Sequence, residues 1–175
     1  MKAVILADKY SYDTINQIIE AYRKHGIKEF ILCHSSSNET IEEIDYKDYS
    51  IIKAKLDKKV KSGGMLLKIA NLLDPCEPFF LTFGDYMCNI DLNNLISFHK
   101  KQGRVLSMAV IKQDDKALFG GFMIVDYDAI GYINNDYVSF EKEPITKMAE
   151  DDEVGWYYYL GDYKIIYQHM KIYGF

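Results

Sequence analysis

Arginine is scarce in this 175-residue chain: Arg23 and Arg104 are the only two, and the other basic residues are lysines. Arginine is the residue that grips phosphate through two parallel hydrogen bonds, so the sequence offers little of that kind of phosphate clamp. Acidic residues outnumber basic ones by 26 to 21, and the formal net charge is −5. A broad nucleic-acid-binding surface is therefore not expected.

Cysteine and long apolar runs are also sparse. Cys33, Cys76 and Cys88 are widely spaced and form no CxxC pair, a pattern typical of reduced, mostly buried thiols. The histidines are scattered, which excludes a zinc site of clustered Cys and His. No apolar run approaches the roughly 18 residues of a membrane span, and the one at the N-terminus is too short for a signal peptide. These absences predict a cytoplasmic protein with neither membrane nor nucleic acid as partner.

Strand and helix patterns alternate along a chain that is 49% hydrophobic. Apolar runs predict strands at 3–7, 29–34, 51–55, 79–83, 105–111, 119–126 and 154–160. Helical spacing predicts helices that begin after Asp13, at Ser62 and after Asp91, with Asp13 and Asp91 as N-caps. This order is typical of parallel βαβ units. It predicts an α/β fold of three αβα layers around a mostly parallel sheet, with one domain over residues 1–175.

Three features lie where predicted strands end, the edge at which ligands of parallel sheets gather. They are the turn after the first strand, the Ser62-Gly63-Gly64 turn, and Gly84-Asp85. Asp85 alone has two interpretations, a metal ligand or an ordinary turn residue. The glycines of the second turn have two as well, contact with a ligand or a simple helix N-terminal turn.

The order of the motifs is more specific than the fold. The chain contains, in sequence, MKAVILA, HGIKEFILC, SGGMLLKIANLL, EPFFLTFGDYMCNIDLNNLISFHKKQG, GGFMIVD and FEKEPI. This series resembles the sugar-1-phosphate nucleotidyltransferases, and within them it is most similar to the glucose-1-phosphate cytidylyltransferases. The resemblance implies a nucleotidyltransferase (Rossmann-like) fold. It also implies a reaction in which a sugar 1-phosphate attacks the α-phosphorus of CTP and pyrophosphate leaves.

The resemblance also implies roles for individual residues. It implies nucleotide binding at Ser62, Gly63 and Gly64, and magnesium at Asp85. It implies sugar binding at Gly120, Gly121 and Glu143, although the glycines of that strand have close packing as an alternative role. No residue is assigned a catalytic role.

The sequence departs from the family where the family binds phosphate. MKAVILA is followed by DKYSYD and then directly by the first helix, without the GGxGTR loop, its arginine or a PKP-type lysine. Asp8 puts a negative charge where that loop would hold phosphate, and Lys9 is the only nearby cation. The second magnesium aspartate also lacks a counterpart, because a gap-free alignment places Tyr167 there and Asp162 lies five residues away.

Three interpretations therefore stay open. The chain is a degenerate nucleotidyltransferase of nucleotide-sugar and polysaccharide biosynthesis whose activity is lost or weak. Alternatively, it is a non-catalytic protein that binds a nucleotide, a nucleotide sugar or a protein partner, or an enzyme with a different reaction in the same cleft. The aromatic run from Trp156 to Tyr159, together with the tail to Phe175, predicts a homo-oligomer interface, with internal packing as the alternative. The acidic run from Glu150 to Glu153 predicts a solvated helix end.

Overall fold

The structure, a computed structural model, describes residues 1–8, 10–35, 41, 44, 48–83, 86–113 and 116–165. The strands are β1 (Ala3–Leu6), β2 (Glu29–Ser35), β3 (Ser50–Leu56), β4 (Phe79–Thr82), β5 (Tyr86–Cys88), β6 (Leu106–Gln113), β7 (Lys116–Val125), β8 (Val154–Tyr159) and β9 (Tyr163–Ile165). The α-helices are α1 (Tyr12–Arg23), α2 (Ser62–Ile69), α3 (Leu92–Gln102) and α4 (Glu143–Glu150). Two 3-10 helices, Ala70–Leu72 and Tyr127–Tyr132, complete the described elements.

Seven of the described strands form one sheet in the order β3-β2-β1-β4-β7-β6-β8. Every neighbouring pair is parallel except the two that involve β7, which runs against both β4 and β6. The predicted mostly parallel sheet is therefore confirmed. β1 lies inside it with all four side chains buried, as the unbroken apolar run predicted.

Helices cover both faces of the sheet and give the predicted three layers. On one face, α1 and α3 contribute Ile15, Ile18 and Leu95 to a core that also contains Phe80 of β4. On the other face, α2, α4 and the Tyr127–Tyr132 helix pack over a second core. No helix among the described residues is long and apolar enough to cross a bilayer.

The predicted start of α1 is wrong by two residues. Ser11, not Asp13, is the N-cap: its backbone is extended and its hydroxyl accepts a hydrogen bond from the Thr14 amide at 3.3 Å. Asp13 lies in the first turn, where its negative charge still faces the positive end of the helix dipole. The predicted cap of α3 is confirmed, because the Asp91 carboxylate accepts from the Asn93 amide at 2.9 Å.

A two-stranded antiparallel ribbon of β5 and β9 was not predicted. Cys88 of β5 pairs with Tyr163 of β9. Each strand is only three residues long, too short for an alternating pattern to stand out in the sequence.

Candidate functional site

The turn after β1 lies at the carboxyl edge of the sheet and is held by hydrogen bonds within itself and to β2. The Tyr10 amide donates to the Ala7 carbonyl at 3.1 Å, and the Ala7 amide donates to the Cys33 carbonyl at 2.8 Å. The Asp8 carboxylate accepts a hydrogen bond from the Ser35 amide at the end of β2. Asp8 therefore ties the end of β1 to β2, at the position where the resemblance led us to look for a phosphate loop. Lys9 lies outside the described residues.

The start of α2 is bound to a segment 70 and more residues further along, residues 136–141, here called the clasp segment. The Ser62 hydroxyl donates to a Glu141 carboxylate oxygen at 2.6 Å and accepts from the Phe140 amide at 2.9 Å. The Gly63 amide donates to the Val138 carbonyl at 3.0 Å. The first amides of a helix have no acceptor within the helix, and here one of them, that of Gly63, is hydrogen-bonded to the clasp segment.

The two glycines of this turn allow the clasp segment to approach closely. A Cβ added at Gly63 would lie 2.8 Å from the Val138 carbonyl oxygen, and one added at Gly64 would lie 2.2 Å from that of Asp136. Both distances are shorter than any real Cβ contact. Close backbone packing is thus a sufficient reason for glycine at both positions. Nucleotide binding by Ser62, Gly63 and Gly64 stays a prediction.

Gly120 and Gly121 lie in β7, at an irregularity in its pairing with β6. The register slips between Met108 and Val110, and Gly121 has a φ of +89°, the left-handed region that favours glycine. A Cβ at Gly120 would lie 3.1 Å from both the Ala109 carbonyl oxygen and the Cys88 sulfur. These glycines therefore bend β7 and let β5 pack on it. Sugar binding by Gly120 and Gly121 stays a prediction.

Glu143 is the first residue of α4, and its carboxylate is held by neighbours on the same side of the sheet. Lys147 donates to it at 2.8 Å and Asn134 donates through its amide at 3.1 Å. The hydrogen bond from Lys147 lowers the pKa of the Glu143 carboxyl. α4 packs on one core, whereas Cys88, the contact of Gly120, belongs to the other core. Glu143 therefore lies on one face of the sheet, whereas Cys88, which contacts Gly120, lies on the other.

The residue that the sequence analysis missed is Glu141. It belongs to the same FEKEP stretch as Glu143, but it is Glu141 that contacts Ser62. The resemblance had implied a sugar-binding role for Glu143 and had given no role to Glu141. The signal available in the sequence was a second glutamate in this stretch, two residues before Glu143, which could have been considered as a site residue.

The predicted metal ligand Asp85 lies outside the described residues, as does Tyr167. Asp162 is described: its backbone carbonyl accepts from the Asn89 amide at 3.1 Å, just after β5 ends, and its side chain is exposed. Among the residues that the structure describes, no three His, Cys, Asp or Glu side chains come close enough together to hold a metal ion.

Both arginines serve the fold. Arg23 forms an ion pair with Glu20 and stacks over the Tyr49 ring, with 4.5 Å between the guanidinium carbon and the ring centroid. Arg104 forms an ion pair with Asp152 at 2.9 Å and donates to the Val154 carbonyl at 3.0 Å.

The acidic run that follows α4 is also engaged in structural contacts. Asp151 accepts from the Tyr132 hydroxyl at 3.0 Å, and Glu153 accepts from the Val105 amide at 3.1 Å. Together with the pair between Asp152 and Arg104, these bonds tie the run to neighbouring elements. The run lies at the end of α4, and Glu150, Asp151 and Asp152 are exposed, so the predicted solvated helix end is confirmed.

A groove of about 500 Å³ lies between the outer face of α1 and the β5–β9 ribbon. Its lining includes Gln17 and Lys24 from α1, Cys88 and Asn89 from the ribbon side, and Asp162. Of the predicted site residues that the structure describes, none lines this groove.

No protein-family model matches the chain. A glucose-1-phosphate cytidylyltransferase from Salmonella typhimurium is 23% identical over 185 residues, which cover 78% of this chain and 72% of that protein. A probable glucose-1-phosphate cytidylyltransferase from Bacillus subtilis is 24% identical over 191 residues, with coverage of 82% and 75%.

Solved structures match over nearly the whole chain. The inositol-1-phosphate CTP transferase from T. maritima aligns with a TM-score of 0.73 over 94% of this chain and 88% of that one, at 14% identity. HddC from Yersinia pseudotuberculosis, complexed with GMP-PN, aligns with a TM-score of 0.70 over 94% and 93%, also at 14% identity. At such identities the match shows a shared fold.

Proposed function

We propose that this chain, a relative of the sugar-1-phosphate nucleotidyltransferases as its motifs predicted, binds a nucleotide or nucleotide sugar and transfers nucleotidyl groups weakly or not at all. The ligand class follows from its relatives, which are cytidylyltransferases by name, and from the fold it shares with a GMP-PN complex. We infer the loss of nucleotidyl transfer from one contact in the turn after β1, where the Asp8 carboxylate accepts a hydrogen bond from the Ser35 amide.

Nucleotidyl transfer depends mainly on neutralising the charge of the phosphates while the reacting groups are held in line. In this chain the turn after β1 holds a carboxylate, which repels a triphosphate. The helix starts at Tyr12, so only a short connection separates it from β1. Arg23 and Arg104 are committed to other carboxylates. Charge neutralisation at this turn is therefore weaker than the reaction requires.

Magnesium binding at Asp85 is part of the proposal. One carboxylate together with phosphate oxygens and water is a ligand set that magnesium accepts. The ion would neutralise phosphate charge when bound. We therefore expect magnesium to bind only together with the nucleotide.

Release of pyrophosphate is the direct test of transfer. The protein is incubated with CTP, magnesium and glucose 1-phosphate, and then with other nucleoside triphosphates and sugar phosphates, beside a known cytidylyltransferase. We expect at most a trace of pyrophosphate. An Asp85→Ala variant distinguishes a true residual activity, which it abolishes, from a contaminant, which it leaves unchanged. Turnover comparable to that of the known enzyme would contradict the proposed loss.

A thermal shift tests the binding half of the proposal. A ligand that binds the folded state raises the melting temperature in proportion to the logarithm of its concentration over Kd. We expect CTP or CDP-glucose at millimolar concentration to raise it. If no nucleotide or nucleotide sugar shifts the transition, the proposed ligand class is wrong and a protein-interaction role remains.

Self-association through β8 is a second proposal, favoured by one observation. Among the described strands, β8 lies at the edge of the sheet and pairs with β6 alone, and residues 154–160 carry no charge. Tyr158 is 62% exposed and Leu160 is 87% exposed. Uncharged edge strands with exposed apolar side chains tend to pair with another chain. Analytical ultracentrifugation should show a homo-oligomer that Tyr158→Lys converts to monomer, whereas a monomeric parent protein would refute the interface.

We further propose a cytoplasmic location and a role in nucleotide-sugar supply for polysaccharide synthesis. Cys33, Cys76 and Cys88 are all free, the state expected in a reducing compartment. Cell fractionation checks the location: recovery with secreted proteins would exclude it.

A further inference from the structure

Positive charge is concentrated in one short stretch of an otherwise acidic chain. Five lysines and one aspartate occupy the nine residues from Lys53 to Lys61. Lys53 and Lys55 lie in β3, an edge strand, where lysines discourage pairing with another strand. Lys58, Lys59 and Lys61 follow the end of β3 at the carboxyl edge of the sheet, so protection of an edge strand does not explain them.

The turn that carries these three lysines is anchored along its length. The Lys59 amide donates to the Asp57 carboxylate at 2.9 Å, and the Val60 amide donates to the Asp57 carbonyl at 3.0 Å. The Val60 side chain is buried, and the Lys61 amide donates to the Asp136 carbonyl at 3.0 Å. A fixed turn presents its cations at a lower entropic cost than a mobile loop would.

In the part of the chain that the structure describes, no acidic side chain pairs with these lysines. Lys58, Lys59 and Lys61 are exposed, and within the described ranges none of them forms an ion pair. By contrast, Lys68 in the nearby α2 is paired with Asp136 at 2.6 Å. Three like charges within four residues repel one another, and an anion bound between them relieves that repulsion.

We propose that Lys58, Lys59 and Lys61 bind the phosphate chain of a nucleotide and add to the single positive charge of the turn after β1, where Lys9 follows Asp8 in the sequence. Their turn leads directly into Ser62-Gly63-Gly64, so charge and the predicted nucleotide contact lie at the same edge of the sheet. The identification of the natural ligand as a nucleotide rests on the proposed function. The anion site itself is defined by its affinity for a polyphosphate.

Titration calorimetry with inorganic triphosphate tests the site without a nucleoside. We expect the Lys58→Gln/Lys59→Gln/Lys61→Gln variant to bind it roughly tenfold more weakly than the parent protein, because each exposed ion pair contributes a few-fold. Added salt should weaken binding by the parent protein, since exposed charges are screened. An unchanged melting temperature establishes that the variant is folded.

A matched control removes the same charge from the opposite edge of the sheet. Lys28 precedes β2, and Lys100 and Lys101 lie in the last turn of α3, which leads to the start of β6. The Lys28→Gln/Lys100→Gln/Lys101→Gln variant should bind triphosphate as the parent protein does. Equal weakening in both variants would mean that only net charge matters, which would overturn the site. So would the absence of any binding by the parent protein.

Titration with CTP separates this inference from the proposed function. If triphosphate binding depends on the three lysines but no nucleotide or nucleotide sugar binds, the proposed function fails and the anion site stands. If CTP binds and the lysine variant retains full affinity for it, the proposed function stands and the lysines are not its phosphate site.

Discussion

Ser62 and Glu141, 79 residues apart in the sequence, are joined by a 2.6 Å hydrogen bond from the Ser62 hydroxyl to the carboxylate. The same hydroxyl accepts from the Phe140 amide, so one side chain fastens the start of α2 to the clasp segment. Two motifs that the sequence assigned separately, one to the nucleotide and one to the sugar, thus meet in a single contact.

Replacing Ser62 with alanine should destabilise the protein by about 1–2 kcal/mol, because it removes two hydrogen bonds and leaves a partly buried amide unpaired. Urea unfolding measures the change. Ser139→Ala is the matched control, since Ser139 accepts its hydrogen bond from Lys142 through its backbone carbonyl, which alanine keeps. A Ser62→Ala variant as stable as the control would show that the clasp is held by other contacts.

Gly64→Ala should cost several kcal/mol, because the added Cβ would lie 2.2 Å from the Asp136 carbonyl oxygen and backbone must move to relieve the overlap. Gly131→Ala is the control: its Cβ would meet nothing within 4 Å. Thermal unfolding of the two variants should differ by many degrees. Equal melting temperatures would mean that the clasp segment is not packed on α2 in solution.

The layered fold could be predicted because its signals are local and repeated. The unbroken apolar run at β1 predicted a strand buried on both faces, and the chain order of strands and helices predicted parallel pairing. The start of α1 was misplaced because Ser11 and Asp13 are both good caps, and only backbone geometry chooses Ser11. The β5–β9 ribbon was missed because three-residue strands carry too little pattern.

The site was harder to predict than the fold, because its residues depend on contacts between distant segments. The sequence shows glycines at 63 and 64 but not that Asp136 and Val138 lie against them. It shows two acids in FEKEP but not that α4 starts at Glu143, which leaves Glu141 outside the helix and free to reach Ser62.

Tyr22 and Thr82 share a buried hydrogen bond amid aromatic rings, with Phe80 and Phe122 packed on the Tyr22 ring at centroid distances of 5.1 and 5.4 Å. Burial raises the pKa of the Tyr22 phenol well above its usual value, so it stays neutral. Tyr22→Phe should cost about 1–2 kcal/mol, since it leaves the Thr82 hydroxyl unpaired. The double variant Tyr22→Phe/Thr82→Val should be less destabilised than the sum of its single changes. Simple additivity would contradict coupling between the hydroxyls.

The three thiols should react very differently in the native protein. Burial raises the pKa of Cys33 to about 12 and that of Cys88 to about 11, whereas Cys76 is exposed. Because the thiolate is the reactive form, iodoacetamide near pH 8 should modify one cysteine, identified by mass spectrometry as Cys76. In urea all three should react. Native labelling of Cys88 as fast as that of Cys76 would show that the β5–β9 ribbon opens away from β7.

The ion pair between Glu143 and Lys147 should stabilise α4 slightly, and in a pH-dependent way. The hydrogen bond from Lys147 lowers the pKa of the Glu143 carboxyl. The ion pair therefore contributes to the stability of the folded protein above pH 4.5, the ordinary pKa of this group. That contribution is lost as the pH falls through the lowered pKa. Glu143→Gln should therefore lower the melting temperature slightly at pH 7 and hardly at all near pH 3. Lys147→Gln, which breaks the same pair but keeps the carboxylate, should match it at pH 7. If only Glu143→Gln also lost affinity for CDP-glucose, the carboxylate would be a sugar ligand as well as a helix contact.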